Sequence, residues 1–218
     1  MSIEVAPVLP LSTALRERTR TAHEDAETSP FIRELMEGKR SREEYIALAG
    51  QQYFIYQALE EVGAKLVDDP TVGAFIVPEL ARLAAIEADL DFLSPGWRDE
   101  LTPLPSTLAY VERIHGLADW PAGFLAHHYT RYLGDLSGGQ VIRTMLQRHY
   151  GFGAEGLEFY HFPGIPKAKV FKDEYRARLD GVVLDEVEFG RVLAEANAAF
   201  RCNEALFVEL DQTVSKVA

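Results

Sequence analysis

Between Tyr129 and Gln140 the chain reads Tyr-Thr-Arg-Tyr-Leu-Gly-Asp-Leu-Ser-Gly-Gly-Gln. Gly134, Gly138 and Gly139 fall inside a stretch whose flanks keep helical spacing, with Leu125, Tyr129 and Leu133 before and Val141, Met145 and Leu146 after. A glycine in a helix interior costs about 0.5–1 kcal/mol relative to alanine, so three cost roughly 2–3 kcal/mol of a marginal total. Something must offset that. Gly134 and Gly138 are four apart and share one helix face, where missing Cβ atoms let a flat ligand or another backbone approach. The plain alternative, a helix–loop–helix connection, leaves the helical flanks unexplained. Asp135 follows Arg131 by four residues, the spacing of an ion pair on one helix surface.

A second group lies near the N-terminus, in Leu15-Arg-Glu-Arg-Thr-Arg-Thr-Ala-His-Glu-Asp-Ala-Glu27. His23 follows Arg16 by seven residues and precedes Glu27 by four. On one continuous helix this aligns a cation, an imidazole and a carboxylate in a row, with about 10.5 Å of rise between Arg16 and His23. A lone histidine on an amphipathic helix is usually a packed core residue. The glycine-rich helix elsewhere makes a ligand role the better reading.

Together these two segments resemble the heme oxygenases, and the resemblance runs from about residue 12 to the end of the last helix. It implies heme b as both substrate and cofactor, with O2 and an external electron donor. It implies His23 as the axial ligand to heme iron and Glu27 as the partner of its other ring nitrogen, a contact that fixes the tautomer and strengthens the ligand. The propionates need cations at one edge. Arg16, Lys172 and Arg176 are candidates, Tyr129 is a hydroxyl donor, and the family often has lysine where Arg16 stands. The backbone at Gly134, Ser137, Gly138 and Gly139 would lie over the porphyrin, and Phe200 would pack against the ring. Asp135 would hold a water network with Arg131, Tyr56 and Asn203. With no side-chain base at the oxygen, a ferric hydroperoxide would attack a meso carbon, the α carbon in the usual family outcome. Ring opening then gives biliverdin, carbon monoxide and ferrous iron.

Punctuation along the chain predicts helices throughout: an all-α, single-domain, heme-oxygenase-like bundle. Heme would sit between a proximal N-terminal helix and a kinked, glycine-rich distal helix. A first helix is expected from Ser12 to about Glu27, after a flexible arm over residues 1–11. Ser29-Pro30 opens a short helix ended by Gly38, and Ser41-Arg-Glu-Glu44 fits a capping box before a long helix reaching Asp69-Pro70. Further helices are expected from about Pro78 to Leu93, over 106–118, over 121–150 with the glycine break, over 167–180 and over 185–213. Ser94 to Trp97 reads as a turn and Gly151 to Pro166 as an ordered loop.

The 218 residues carry a net charge of −12, with 47% hydrophobic and 26% charged residues and one cysteine. The composition is that of a globular domain. The negative charge argues against nucleic acid or an anionic membrane as the main partner, and no apolar run approaches the ~20 residues of a membrane span. Single Cys202 excludes an intramolecular disulfide and points to a reducing compartment. The start lacks a secretion signal, and the chain stops at Val214-Ser-Lys-Val-Ala218, so a cytoplasmic monomer is expected. Lys167 to Arg178 holds five basic residues in an acidic protein, a docking surface for a ferredoxin or flavoprotein reductase.

Three other readings compete. A di-iron bundle needs Glu-x-x-His on two helices plus two more glutamates. Glu112-Arg-Ile-His115 and Glu158-Phe-Tyr-His161 match locally, but the second falls in the loop, and adjacent His127 and His128 point apart. A thiaminase-like member of the same fold would need Cys202 as nucleophile. A non-catalytic heme carrier would need only the axial histidine.

Overall fold

A computed structural model describes residues 9–214 of the chain. Among these the protein is all-α, with no strand. Of the arm expected over residues 1–11, residues 1–8 lie outside the described part, and Leu11 is already buried as the first residue of a helix. The helices are α1 (Leu11–Arg18), α2 (Arg20–Glu27), α3 (Pro30–Met36), α4 (Arg42–Leu66), α5 (Leu83–Leu93), α6 (Trp97–Glu100), α7 (Pro105–His115), α8 (Pro121–His128), α9 (Gly138–Tyr150), α10 (Ala168–Asp180) and α11 (Glu186–Val214).

Two long helices organise the rest. α4 starts at the expected capping box: Ser41 Oγ accepts from the Glu44 amide at 3.2 Å, and Glu44 returns the contact to Ser41 N at 2.6 Å. Tyr45, Leu48, Ile55, Tyr56, Leu59, Val62 and Leu66 bury its core-facing side, each worth about 1.5–3 kcal/mol when fully removed from water. α4 packs on α5 and α7, while α11 lies across α8, α2, α7 and α3.

Local chemistry redraws several expected boundaries. The first helix divides at Thr19, whose hydroxyl bonds back to Leu15 O at 2.7 Å, a contact that bends helices. Arg16 and His23 therefore sit on successive segments rather than on one straight row. The helix expected from Pro78 is a single 3-10 turn (Pro78–Leu80), and α5 begins at Leu83. There Glu60 of α4 accepts from the amides of Arg82 and Leu83 at 2.6 and 2.9 Å, supplying the anion that a helix N-terminus favours. The Ser94–Trp97 turn leads directly into α6, with Gly96 left-handed at φ 88°.

The glycine-rich stretch is one helix with a built-in defect. After α8, Tyr129–Leu133 form a π-helical turn, the type of insertion that concentrates at functional sites. Helical geometry returns at Gly134 and Asp135 and then breaks at Ser137 (φ −122°, ψ −88°) before α9. The bend thus comes from the π turn and from Ser137. Gly134 itself is an ordinary helical residue at φ −59°, ψ −50°.

The loop over 151–166 is ordered, as expected. Asp89 of α5 accepts from the amides of Glu158 and Phe159 at 2.7 and 2.8 Å. Arg82 donates to the carbonyls of Phe159 and His161 and lies 3.9 Å over the Phe162 ring. These two clamps hold Phe159 and Tyr160 in the wall of the main cavity.

Candidate functional site

α2, α4, α11 and the bent distal helix enclose a cavity of about 330 Å³, which adjoins a second space of about 600 Å³. His23, Tyr129 and Phe200 line both. Ile32, Leu48, Leu133, Ile142 and Phe207 make the main wall apolar, the usual composition of a small-molecule site with a few placed polar groups.

On one side α2 presents His23. Its side chain is 46% exposed, and Nε2 lies 3.3 Å from Glu27 Oε1. The pair forms as the spacing predicts. Glu27 thus holds the imidazole beside the cavity through one ring nitrogen and leaves the other for a ligand. Phe200 of α11 meets the imidazole edge-on, with centroids 5.3 Å apart.

The distal helix supplies the opposite wall. Gly134 is exposed among buried neighbours, and a Cβ built there would meet nothing within 4 Å. Its glycine is therefore not required by protein packing. A Cβ built on Gly138 would stand 3.6 Å from Glu27 Oε1, an ordinary contact. Gly139 has a different reason: its Cβ would stand 3.2 Å from the Tyr160 ring, so its smallness admits that aromatic, although its backbone still lines the cavity. Gly134→Ala should stabilise the unliganded helix by about 0.5–1 kcal/mol while weakening a flat ligand's binding. A thermal melt of the apoprotein and a ligand titration check the two halves separately.

Behind Gly134 lies a buried polar network. Tyr56, fully buried and outside the cavity lining, donates its hydroxyl to Asp135 Oδ2. Burial raises the Asp135 carboxyl to about 6, against the opposing pull of Arg131, the Tyr56 hydrogen bond and Arg82. The expected contact between Arg131 and Asp135 does not form as an ion pair among the described residues. The π turn adds a residue to the turn and slips the four-residue register. Arg131 instead donates Nη1 to Asn203 Oδ1 at 2.6 Å and Nη2 to Gln52 Oε1, and its charge reaches Asp135 through space. Gln140 Nε2 ties Asp135 O to Tyr160 O at 3.2 and 2.8 Å. Gln52 and Gln140 were not singled out from the sequence. The available signal for Gln52 was an amide at a core-facing position of α4, between Leu48 and Ile55.

At the cavity's outer edge stand Tyr129, Arg176 and Arg16. Burial raises the Tyr129 hydroxyl, and the charges of Arg176 and Arg16 oppose it, so both guanidiniums are near that oxygen. Lys172, the third expected propionate cation, does not line the cavity. Its ammonium donates to Ser137 Oγ at 2.8 Å and Leu136 O at 3.3 Å, at the break in the distal helix. Lys172 thus reaches the edge only by way of Ser137, which does line the cavity with Gly138 and Gly139.

The competing metal and thiol sites find no support. Among the described residues no three His, Cys, Asp or Glu side chains gather as a metal site. His115 pairs with Glu61, and His161 with Glu158. His127 and His128 do point apart, to Glu195 on α11 and Tyr175 on α10. Cys202 is half-buried, and burial pushes its thiol up, away from nucleophilic use. No helix among the described residues is long and apolar enough to cross a membrane.

Comparison with known proteins places this geometry in a family. The heme oxygenase sequence profile matches residues 9–209. The chain is 41% identical over 211 residues to heme oxygenase 1 of Gallus gallus, covering 94% of this chain and 71% of that one. It is 37% identical to heme oxygenase 1 of Synechocystis sp., covering 94% and 87%. Among solved structures, heme oxygenase-1 from Synechocystis sp. in complex with heme superposes with a TM-score of 0.91 at 36% identity, over 96% of both chains. Heme oxygenase from Leptospira interrogans does so at 0.88 and 34%, over 92% of this chain and all of the other.

Proposed function

The chain belongs to the heme oxygenase family of enzymes, and from that premise we propose that the cavity between α2 and the distal helix takes heme as substrate. The residues fit that group. The walls are apolar and the outer edge carries two arginines and a tyrosine hydroxyl for paired carboxylates. One side offers an imidazole already partnered by Glu27. The observation that carries the reading is the bare face of Gly134, a helical glycine with open space beyond it in the same cavity as His23.

Bound heme supplies the iron at which O2 is reduced and the meso carbon at which the ring opens, giving biliverdin, carbon monoxide and ferrous iron with electrons from an external donor. His23 would hold the iron from the α2 side, with Glu27 orienting the imidazole. Gly134 would let the distal backbone lie against the ring and would restrict access to one meso edge, the α edge by our assignment. Asp135, held by Tyr56 and by the charges of Arg131 and Arg82, orders the water that brings protons to this space. With heme bound, Asp135 would act through ordered water rather than as a ligand, its carboxylate being held by Tyr56. Arg16, Arg176 and Tyr129 fix the rotation of the ring through its propionates.

Titrating the purified protein with hemin and then adding reductant in air tests this. A stoichiometric complex whose Soret band decays as biliverdin appears is the expected result; a tight complex with a persistent Soret band, under a competent donor, would leave only a heme carrier. Arg176→Leu is expected to keep the Soret complex and change the ratio of biliverdin isomers, since one of two guanidiniums near the propionates is lost. Chromatography of the products measures that ratio. For the reductase we propose a docking surface on the basic stretch from Lys167 to Arg178, which carries Lys167, Lys169, Lys172, Arg176 and Arg178. Part of its charge is offset within the helix, because Asp173 pairs with both Lys169 and Arg176. A cytoplasmic setting accords with the single free cysteine.

A further inference from the structure

α1 and α10 each carry one guanidinium of the cavity's outer edge, and a polar contact joins the two helices. Asp180, the last residue of α10, accepts from Ser12 N through Oδ1 at 2.8 Å and from Ser12 Oγ through Oδ2 at 3.0 Å. The first amides of a helix have no partner within it. α1 has no side-chain cap of its own and no acidic residue in its first turn. A carboxylate 168 residues away in the chain meets both needs. It satisfies the Ser12 amide and places a negative charge at the positive end of the helix.

The contact has a register. Arg16 follows Ser12 by four residues, and Arg176 precedes Asp180 by four. A four-residue step keeps one helix face and covers about 6 Å of rise. The bond that joins the helices therefore lies one turn from each charge, toward the C-terminus of α1 and toward the N-terminus of α10. Both charges reach the same oxygen, because Arg176 and Arg16 each act on the Tyr129 hydroxyl. Tyr129 itself lines the main cavity and the space beside it.

α10 is fixed without this contact. Tyr175 and Leu179 are fully buried, the Tyr175 hydroxyl meets His128 Nδ1 at 2.8 Å, and Arg178 Nη1 donates to Ala74 O at 2.7 Å. α1 is held by the burial of Leu11, Ala14 and Leu15, and it divides from α2 at Thr19. Apolar burial is non-directional, so it keeps α1 against its neighbours without fixing its slide or rotation. Two hydrogen bonds to one carboxylate are directional. We propose that the Ser12–Asp180 contact sets the register of Arg16 against Arg176, which makes Asp180 a positioning residue for the orientation of the bound ring. This rests on the heme reading, since paired propionates are what two guanidiniums at a set spacing select.

Two variants separate the bond from the rest of the molecule. Asp180→Ala removes both acceptors, whereas Asp180→Asn keeps a carbonyl for Ser12 N and offers an amide hydrogen to Ser12 Oγ. With hemin and reductant, Asp180→Ala should keep the Soret complex and raise the share of minor biliverdin isomers by about two- to tenfold, the range for one net hydrogen bond. Asp180→Asn should restore the wild-type ratio. Adding Asp180→Ala to Arg176→Leu should shift the ratio no further, because coupled residues are not additive and no pair is left to register. In the apoprotein, amide exchange at Ser12 should rise by about the same factor in Asp180→Ala alone. An unchanged isomer ratio in Asp180→Ala, an equal shift in Asp180→Asn, or unchanged Ser12 exchange overturns the proposal. A wild type that binds no hemin or yields no biliverdin would instead fail the heme reading itself, whatever the exchange at Ser12 shows.

Discussion

Asp135→Ala is expected to bind heme about as well as the wild type yet to lose roughly 100-fold or more of its biliverdin formation, the scale of a removed proton-handling group. Affinity should survive because the carboxylate is committed to Tyr56, while the ring is held by His23, the apolar walls and the propionate edge. Turnover should fall because Tyr56 and the water that Asp135 orders lose their common acceptor. Reducing equivalents should then drive peroxidase-like oxidation of an added phenol. Product absorption and phenol oxidation, followed together, decide the point; undiminished biliverdin yield would remove Asp135 from the mechanism.

The same residue makes a prediction for stability in the apoprotein. Burial raises the Asp135 carboxyl to about 6 from an ordinary 3.8. Between these values the folded protein keeps a proton that the unfolded chain releases, so stability falls as pH rises from about 4 to about 6 and changes little above. Asp135→Asn does not titrate. Relative to the wild type it should gain about 2–3 kcal/mol between pH 4 and pH 7, at about 1.4 kcal/mol per pH unit of raised pKa. Denaturant unfolding at the two pH values measures it. A difference of opposite sign would mean that Asp135 is held ionised by its cations rather than protonated by burial.

His23→Ala should have the other large effect. It removes the one imidazole in the cavity, and Glu27, half-exposed beside it, has no geometry to replace it. Changing even the partner of a metal-ligating histidine costs about 10–100-fold, so loss of the ligand itself should exceed about 100-fold in turnover. The heme complex should lose its histidine-ligated spectrum. Added imidazole should restore spectrum and activity together, because the deletion leaves a space of the right shape between Phe200 and Glu27. An unaltered spectrum in His23→Ala would show that iron is held elsewhere.

The sequence by itself determined the class and the outline. Capping at Ser41, proline at the start of α3 and the spacing of apolar residues are local rules, and they gave an all-α chain with most helices in place. His23 and Glu27 were legible because a four-residue step on a helix is a contact whatever surrounds it. Gly134 was legible because a glycine that local energetics disfavours must answer to something outside its own helix. The long run around these glycines carried the family resemblance as well. What failed were inferences that extended a straight helix across a defect. Thr19 splits the first helix and the π turn slips Arg131 away from Asp135, since a back-bonded hydroxyl or one inserted residue leaves no strong mark in a hydrophobic pattern.

Only the tertiary structure decided which polar groups meet. Arg131 turns to Gln52 and Asn203, on helices 79 and 72 residues away in the chain. Lys172 ties itself to Ser137, and Gly139 makes room for Tyr160 rather than for a ligand. No spacing rule reaches that far. Periodicity fixes the face a residue occupies on its own helix, whereas its partner depends on how two faces approach, and that is set by packing of the whole core.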